Sequence, residues 1–261
     1  MLRLSVRPGG RTMFGTGLVL VTAAVLGGCS RADSPALVAP SAVPSQSAAA
    51  THPPVPASKA PVRHTVKHAA SLPAFASSVQ RVTAADLPHS WRSGCPVGPG
   101  QLRAVQLTYY GFDGRAHRGT LVVNGAVTGP VRSVFAELYA DRFPIRRMQP
   151  VDAYRGDDNA SMAADNTSAF NCRAAVAAGP RTWSMHAYGE AIDVNTVENP
   201  YIFNGSVLPP NGAAYTNRSD ERRGMATRTG TLVRVFKAHG WGWGGDFPGG
   251  KDYQHFSTNG K

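Results

Sequence analysis

Leu102-Arg-Ala-Val-Gln-Leu-Thr-Tyr-Tyr110, Gly111-Phe-Asp-Gly114 and Gly119-Thr-Leu-Val-Val123 decide the fold class. The first and third stretches have strand composition, rich in β-branched and aromatic residues, and the second carries turn chemistry, so together they predict an antiparallel hairpin. Downstream, Val131, Val134, Phe135, Leu138 and Phe143 recur at mostly helical spacing, and Pro144 ends that helix. Ile145 to Val151 reads as a strand. Asp157 to Gly179 reads as small, polar and irregular, with one helical turn over Ser161 to Ala164. Ala191-Ile-Asp-Val194 has the pattern of a short buried strand, Thr229 to His239 that of an amphipathic helix stopped by Gly240, and a last strand is expected near Tyr253 to Ser257. Hairpins with only a few interspersed helices predict an α+β fold, an antiparallel sheet flanked by helices.

The chain has 261 residues, enough for one ordinary domain with extensions. Its 28 Gly and 20 Pro argue against a helical bundle, and its three Cys argue against both a disulfide-dense scaffold and a four-thiolate zinc site. Arg3, Arg7 and Arg11 precede the apolar run Phe14 to Leu26, which ends in Gly27-Gly28-Cys29. A basic flank, a short apolar run and small residues make an export signal over residues 1–28. Leu26-Gly27-Gly28-Cys29 resembles the lipobox of bacterial lipoproteins, which implies lipidation of Cys29; the plainer alternative is a secretory signal with a chance Cys. Either places the mature protein outside the cytoplasm, and lipidation would hold it at the cell membrane.

Two Cys then remain, Cys95 and Cys172, and an oxidising compartment predicts that they pair. Residues 29–80 are rich in Ala, Pro and Ser, with too few large apolar groups to offset the entropy of ordering, and read as a disordered tether to a domain over residues 81–261. The net charge of +11 raises nucleic-acid binding as a function. The basic residues are dispersed, no aromatic-rich basic stripe interrupts them, and export removes the usual target. Association with anionic envelope polymers or a lipid surface fits better. A monomer is expected.

The chemistry concentrates in Ser184-Met-His186-Ala-Tyr-Gly189-Glu-Ala-Ile-Asp193 and in Trp241-Gly-Trp-Gly-Gly-Asp246 with Asp252-Tyr-Gln-His255-Phe256. Two imidazoles and a carboxylate compose a three-ligand zinc site that leaves the fourth position open, the catalytic pattern. A further carboxylate supplies a proton acceptor. By spacing alone, His186 as a core histidine and Asp193 as a turn residue explain the first motif equally well. Asp252 and His255, three apart, would face opposite sides of a regular strand.

Ser-x-His-x-x-Gly-x-Ala-x-Asp followed by Trp-Gly-Gly-Asp and Asp-x-x-His-Phe resembles the M15 zinc peptidases. This is the D-alanyl-D-alanine carboxypeptidase and L-alanyl-D-glutamate endopeptidase group, which shares its fold with the hedgehog signalling domain. The resemblance covers mainly residues 130–257. It implies a peptidase of peptidoglycan stem peptides holding one zinc ion on His186, Asp193 and His255, with Asp252 as general base. Asp rather than Glu at that position is more similar to the endopeptidase branch. It also implies an Arg upstream of the first ligand, for which Arg146, Arg147, Arg155 and Arg173 qualify by order. Arg173 is favoured because a disulfide at Cys172 would fix its backbone, and Arg147 is second. Ser184, Tyr188 and Ser168 are candidate substrate contacts, with Asp158 and Asn166 in the same polar loop; Tyr188 reads equally as a packing residue. Trp241 and Trp243 read as core beneath the site, and His239 as a helix-end residue. The competing class is a non-catalytic, zinc-containing cell-wall-binding module.

Overall fold

The computed structural model describes residues 72–176 and 182–261. The expected leader, Cys29 and most of the expected tether lie outside the described residues. Strand β1 (Ser77–Arg81) pairs antiparallel with β2 (Leu102–Gly111), and β2 pairs with β3 (Ala116–Asn124) in register from Leu102 opposite Asn124 to Tyr110 opposite Ala116. Residues 77–80, which composition assigns to the tether, therefore belong to the folded sheet; Phe75 packs on the core ahead of them. Gly114 takes a positive φ of 78° in the β2–β3 turn, the conformation that favours glycine there.

Helix α1 (Thr128–Ala140) lays Val131, Val134, Phe135 and Leu138 against Val105, Leu107, Leu121 and Val123 of the sheet. The expected strand after it shrinks to β4 (Pro144–Ile145), parallel to the end of β2. The Arg146 N–H is taken instead by the Asn195 side chain, and Pro150, which has no N–H, leads into a 3₁₀ turn over Val151–Tyr154. Helix α2 (Asp158–Ala163) is capped by Asp157, whose carboxylate accepts from Ala160 N–H at 3.1 Å.

The remaining strands form two further small sheets, where one sheet was expected. In the first, β10 (His255–Ser257) lies between β5 (Ala191–Asp193) and β8 (Gly242–Trp243). In the second, β6 (Tyr201–Phe203) lies between β7 (Ser206–Leu208) and β9 (Lys251–Asp252). Helix α3 (Thr231–Ala238) buries Leu232, Val233, Val235 and Phe236, and Phe236 stacks on Phe256 of β10 with ring centroids 4.1 Å apart. The α+β class holds. A second apolar cluster gathers Leu87, Val97, Leu102, Val122 and Phe170 around the Cys95–Cys172 disulfide. No helix among the described residues is long and apolar enough to cross a membrane.

Candidate metal centre

Ser184 opens the 3₁₀ turn Met185–Tyr188, its hydroxyl accepting from His186 N–H at 3.3 Å, and Gly189 closes it with φ 69°. A Cβ on Gly189 would come within 2.6 Å of Asn124 N, so this turn packs on β3 only with glycine at that position. His186 is thereby held between the hairpin and β5. Its Nδ1 lies 2.6 Å from the Ala169 carbonyl, which sets that nitrogen as the donor and turns the Nε2 lone pair inward.

Asp193 ends β5 directly opposite His255 of β10, so the two side chains share a face. On its other edge Asp193 exchanges both backbone hydrogen bonds with Ser168, at 2.9 and 3.0 Å. His255 Nε2 lies 3.1 Å from the Lys261 main-chain oxygen, which leaves Nδ1 to face the cluster. The inward atoms converge. His186 Nε2 to His255 Nδ1 is 3.1 Å, and the Asp193 carboxylate reaches both imidazoles, Oδ2 lying 3.2 Å from His186 Nε2 and Oδ1 3.2 Å from His255 Nδ1. All three residues are buried.

Asp252 ends β9, and Tyr253–Gln254 turn the chain from one small sheet into the next before His255 begins β10. That switch resolves the spacing: Asp252 and His255 belong to different strands and both face the centre. A Cβ on Gly244 would collide with the Asp252 main-chain oxygen, which explains one glycine of the Trp-Gly-Trp-Gly-Gly run. Asp252 Oδ1 is buried with no hydrogen-bond partner among the described residues.

Electrostatics separate the two carboxylates. Burial pushes the Asp193 carboxyl up, but the imidazoles of His186 and His255 outweigh it and hold it well below the usual carboxylate range. Burial dominates at Asp252 and pushes it up to about 6, with Asp193 adding and His255, His186 and Arg173 opposing. Burial disfavours the charged form of His255, and the hydrogen bond and charge of Asp193 overcome it, raising the imidazole.

The donor set fits zinc. Bonds of about 2.0–2.1 Å to nitrogen and oxygen at tetrahedral angles place neighbouring donor atoms about 3.3 Å apart, close to the 3.1 Å between the two imidazole nitrogens and the 3.2 Å from each to its nearer Asp193 oxygen. Two imidazole lone pairs and a carboxylate converging in a buried space repel one another unless a cation or proton sits among them.

Among the candidate arginines, Arg173 is the one whose charge is coupled to Asp193 and Asp252. Its Nε lies 2.9 Å from Asp158 Oδ2, and its backbone carbonyl accepts from Ser184 N–H at 3.1 Å, next to the His186 turn. Arg146 pairs instead with Asp165 and Glu198 and stacks on Phe112 at 3.8 Å. The Arg147 charge acts on Tyr109 of β2. Arg155 is exposed in a left-handed turn.

Tyr188 packs against the second apolar cluster and its carbonyl accepts from the Asn124 side chain, which supports its reading as a packing residue over a substrate contact. Asn166 is consumed by Gln149 and Ser161. Trp241 and Trp243 are core, and His239 pairs with Glu137 across the α3–α1 contact at 2.7 Å.

Sequence reasoning missed the polar interior behind β5. Asn195, just beyond Asp193, accepts from Arg146 N–H and donates to the Pro144 and Gly224 carbonyls. Glu198 is almost wholly buried between Arg146 and Asp165. The run Asn195-Thr-Val-Glu-Asn199 directly after a buried strand was the available signal.

No curated protein and no solved structure matches the chain. Residues 177–258, the stretch that contains His186, Asp193, Asp252 and His255, match the family model described as D-alanyl-D-alanine carboxypeptidase, of the M15 peptidase group.

Proposed function

We propose that this chain is a zinc-dependent peptidase that hydrolyses peptidoglycan stem peptides. The observation that carries the reading is the buried His186–Asp193–His255 cluster together with the Asp252 oxygen, which has no partner among the described residues. His186 Nε2, an Asp193 oxygen and His255 Nδ1 would hold one zinc ion. When bound, zinc acidifies the attacking water and polarises the scissile carbonyl.

Asp252 takes a proton from that water as its oxygen forms the new bond to the carbonyl carbon. The same carboxyl then delivers the proton to the nitrogen as the C–N bond breaks, so Asp252 ends as it began. Arg173, held charged by the carboxylates around it, offers N–H donors to the oxyanion. Asp158 and the neighbouring disulfide fix its position. Ser184 and Ser168 act through the backbone, by capping the His186 turn and by pairing with Asp193.

Export, anchoring through a lipid on Cys29, action as a monomer and association with anionic envelope polymers belong to the same reading and rest on the leader, the tether composition and the +11 charge. The competing wall-binding module has no use for a carboxylate at position 252. Digestion of purified muropeptides by the zinc-loaded protein, read by mass spectrometry beside Asp252→Ala, separates the two. New products from the wild type alone are expected; zinc binding with no product from either protein would establish the binding module.

A further inference from the structure

Tyr201 lies directly opposite Asp252 in the β6–β9 ladder, so the phenol and the carboxyl share one face of that sheet. Burial, and after it the charge of Asp252, push the phenol up. Phe203, two residues on, returns to the same face, and its ring stacks on Tyr201 with centroids 5.8 Å apart and planes 12° from parallel. Gly250 leaves room for both rings, since a Cβ there would come within 2.7 Å of Phe203 and 3.0 Å of Tyr201. The Tyr201 hydroxyl donates to the Val176 carbonyl at 3.4 Å, three residues beyond Arg173. Both rings are half-buried.

Chemistry gives this shelf a direction. The departing amine must receive its proton from Asp252, so the leaving half of the substrate passes on the Asp252 side. A single released amino acid would carry a free carboxylate, whose recognition calls for a guanidinium or ammonium. Among the described residues no cation stacks on either ring, and the two cations that adjoin or couple to Asp252 are engaged elsewhere, Lys251 by the Phe247 carbonyl at 2.6 Å and Arg173 by Asp158 at 2.9 Å. A leaving peptide of two or more residues instead offers backbone and side-chain surface that aromatic rings cover well.

We propose that Tyr201 and Phe203 form the leaving-group subsite and select a leaving peptide of two or more residues over a single amino acid; this rests on the peptidase reading. The test compares two N-acylated peptides with the same acyl half, one releasing a single alanine and one releasing three residues. Full-length zinc-loaded wild type is expected to favour the longer leaving group by about tenfold in kcat/KM, the range two ring contacts supply. The Tyr201→Ala/Phe203→Ala double variant, and Tyr201→Leu/Phe203→Leu as the better-packed control, should bring that ratio towards one.

Calorimetry of the longer peptide on Asp252→Asn, with and without the ring substitutions, gives a readout independent of turnover. Weakening by about tenfold is expected. Cleavage with an unchanged ratio in a folded variant, or a wild-type preference for the single alanine, overturns the subsite. Ring-dependent binding with no cleavage of either peptide overturns the peptidase reading and with it the leaving-group role, and leaves the rings as a peptide-binding surface. Neither cleavage nor ring-dependent binding overturns both.

Discussion

Asp193 is buried and Asp252 is half-buried with one oxygen wholly enclosed, and their surroundings drive them in opposite directions. Asp193 faces two imidazoles that outweigh its burial and hold it charged, as the proposed ligand role requires. Asp252 has an oxygen that nothing among the described residues engages and a carboxyl raised to about 6, the range in which one group can both accept and return a proton. Asp252→Asn should therefore lower kcat by roughly 10²–10⁴ while zinc content is unchanged; steady-state kinetics beside elemental analysis checks both halves. Glu198 gives a prediction of a different kind. Burial first, then the adjacent Asp165 carboxyl, push it from 4.5 up to about 8. Its neutral form fits the fold, so its contribution to stability is full below the unfolded value near 4.5 and is lost as pH rises through about 8. The melting temperature should fall across that window, and Glu198→Gln should flatten the fall; a wild-type curve that is level from pH 5 to 8.5 would contradict the assignment.

At the scale of elements, what was legible depended on length. The β2–β3 hairpin, α1 and α3 each run for eight residues or more and so display a period, and their order suffices for the α+β class. The strands β6 to β10 are two or three residues long, too short for any periodicity, and their pairing depends on contacts remote in sequence. That is why one sheet is expected and three are present among the described residues. It is also why Asp252 and His255 could not be assigned to one face: nothing in Asp-Tyr-Gln-His announces that the chain changes sheets between them. The cap at Ser184 was legible only as a flanking hydroxyl. Ser184→Ala removes the acceptor for His186 N–H and should cost about 1 kcal/mol, the usual value for an N-cap. Because His186 rides on that turn, zinc affinity should fall with stability; thermal melts with and without chelator separate the two losses.

Across the whole molecule, the disulfide links the segment that follows β1 to the irregular segment that carries Arg173, at a separation of 77 residues. Cysteine arithmetic predicts the pair, whereas the cluster it sits in, with Leu87, Val97 and Phe170, is assembled from segments that no local pattern joins. Opening the bond should lower stability by about 2–4 kcal/mol through loop-closure entropy, and melting in reductant against oxidised buffer measures it. The candidate ligands were legible from the paired motifs, and Arg173 is favoured from its place beside Cys172; the fold adds that Arg146 pairs with Asp165 and Glu198, that the Arg147 charge acts on Tyr109 and that Arg155 is exposed.

Equilibrium zinc binding to the full-length protein, competed against a chelator, tests the central claim most directly. One ion per chain is expected, with affinity reduced tenfold or more in each of His186→Ala, Asp193→Ala and His255→Ala and stoichiometry kept at one in Asp252→Ala. A protein that binds no zinc, or whose binding is indifferent to those three substitutions, would contradict the metal centre.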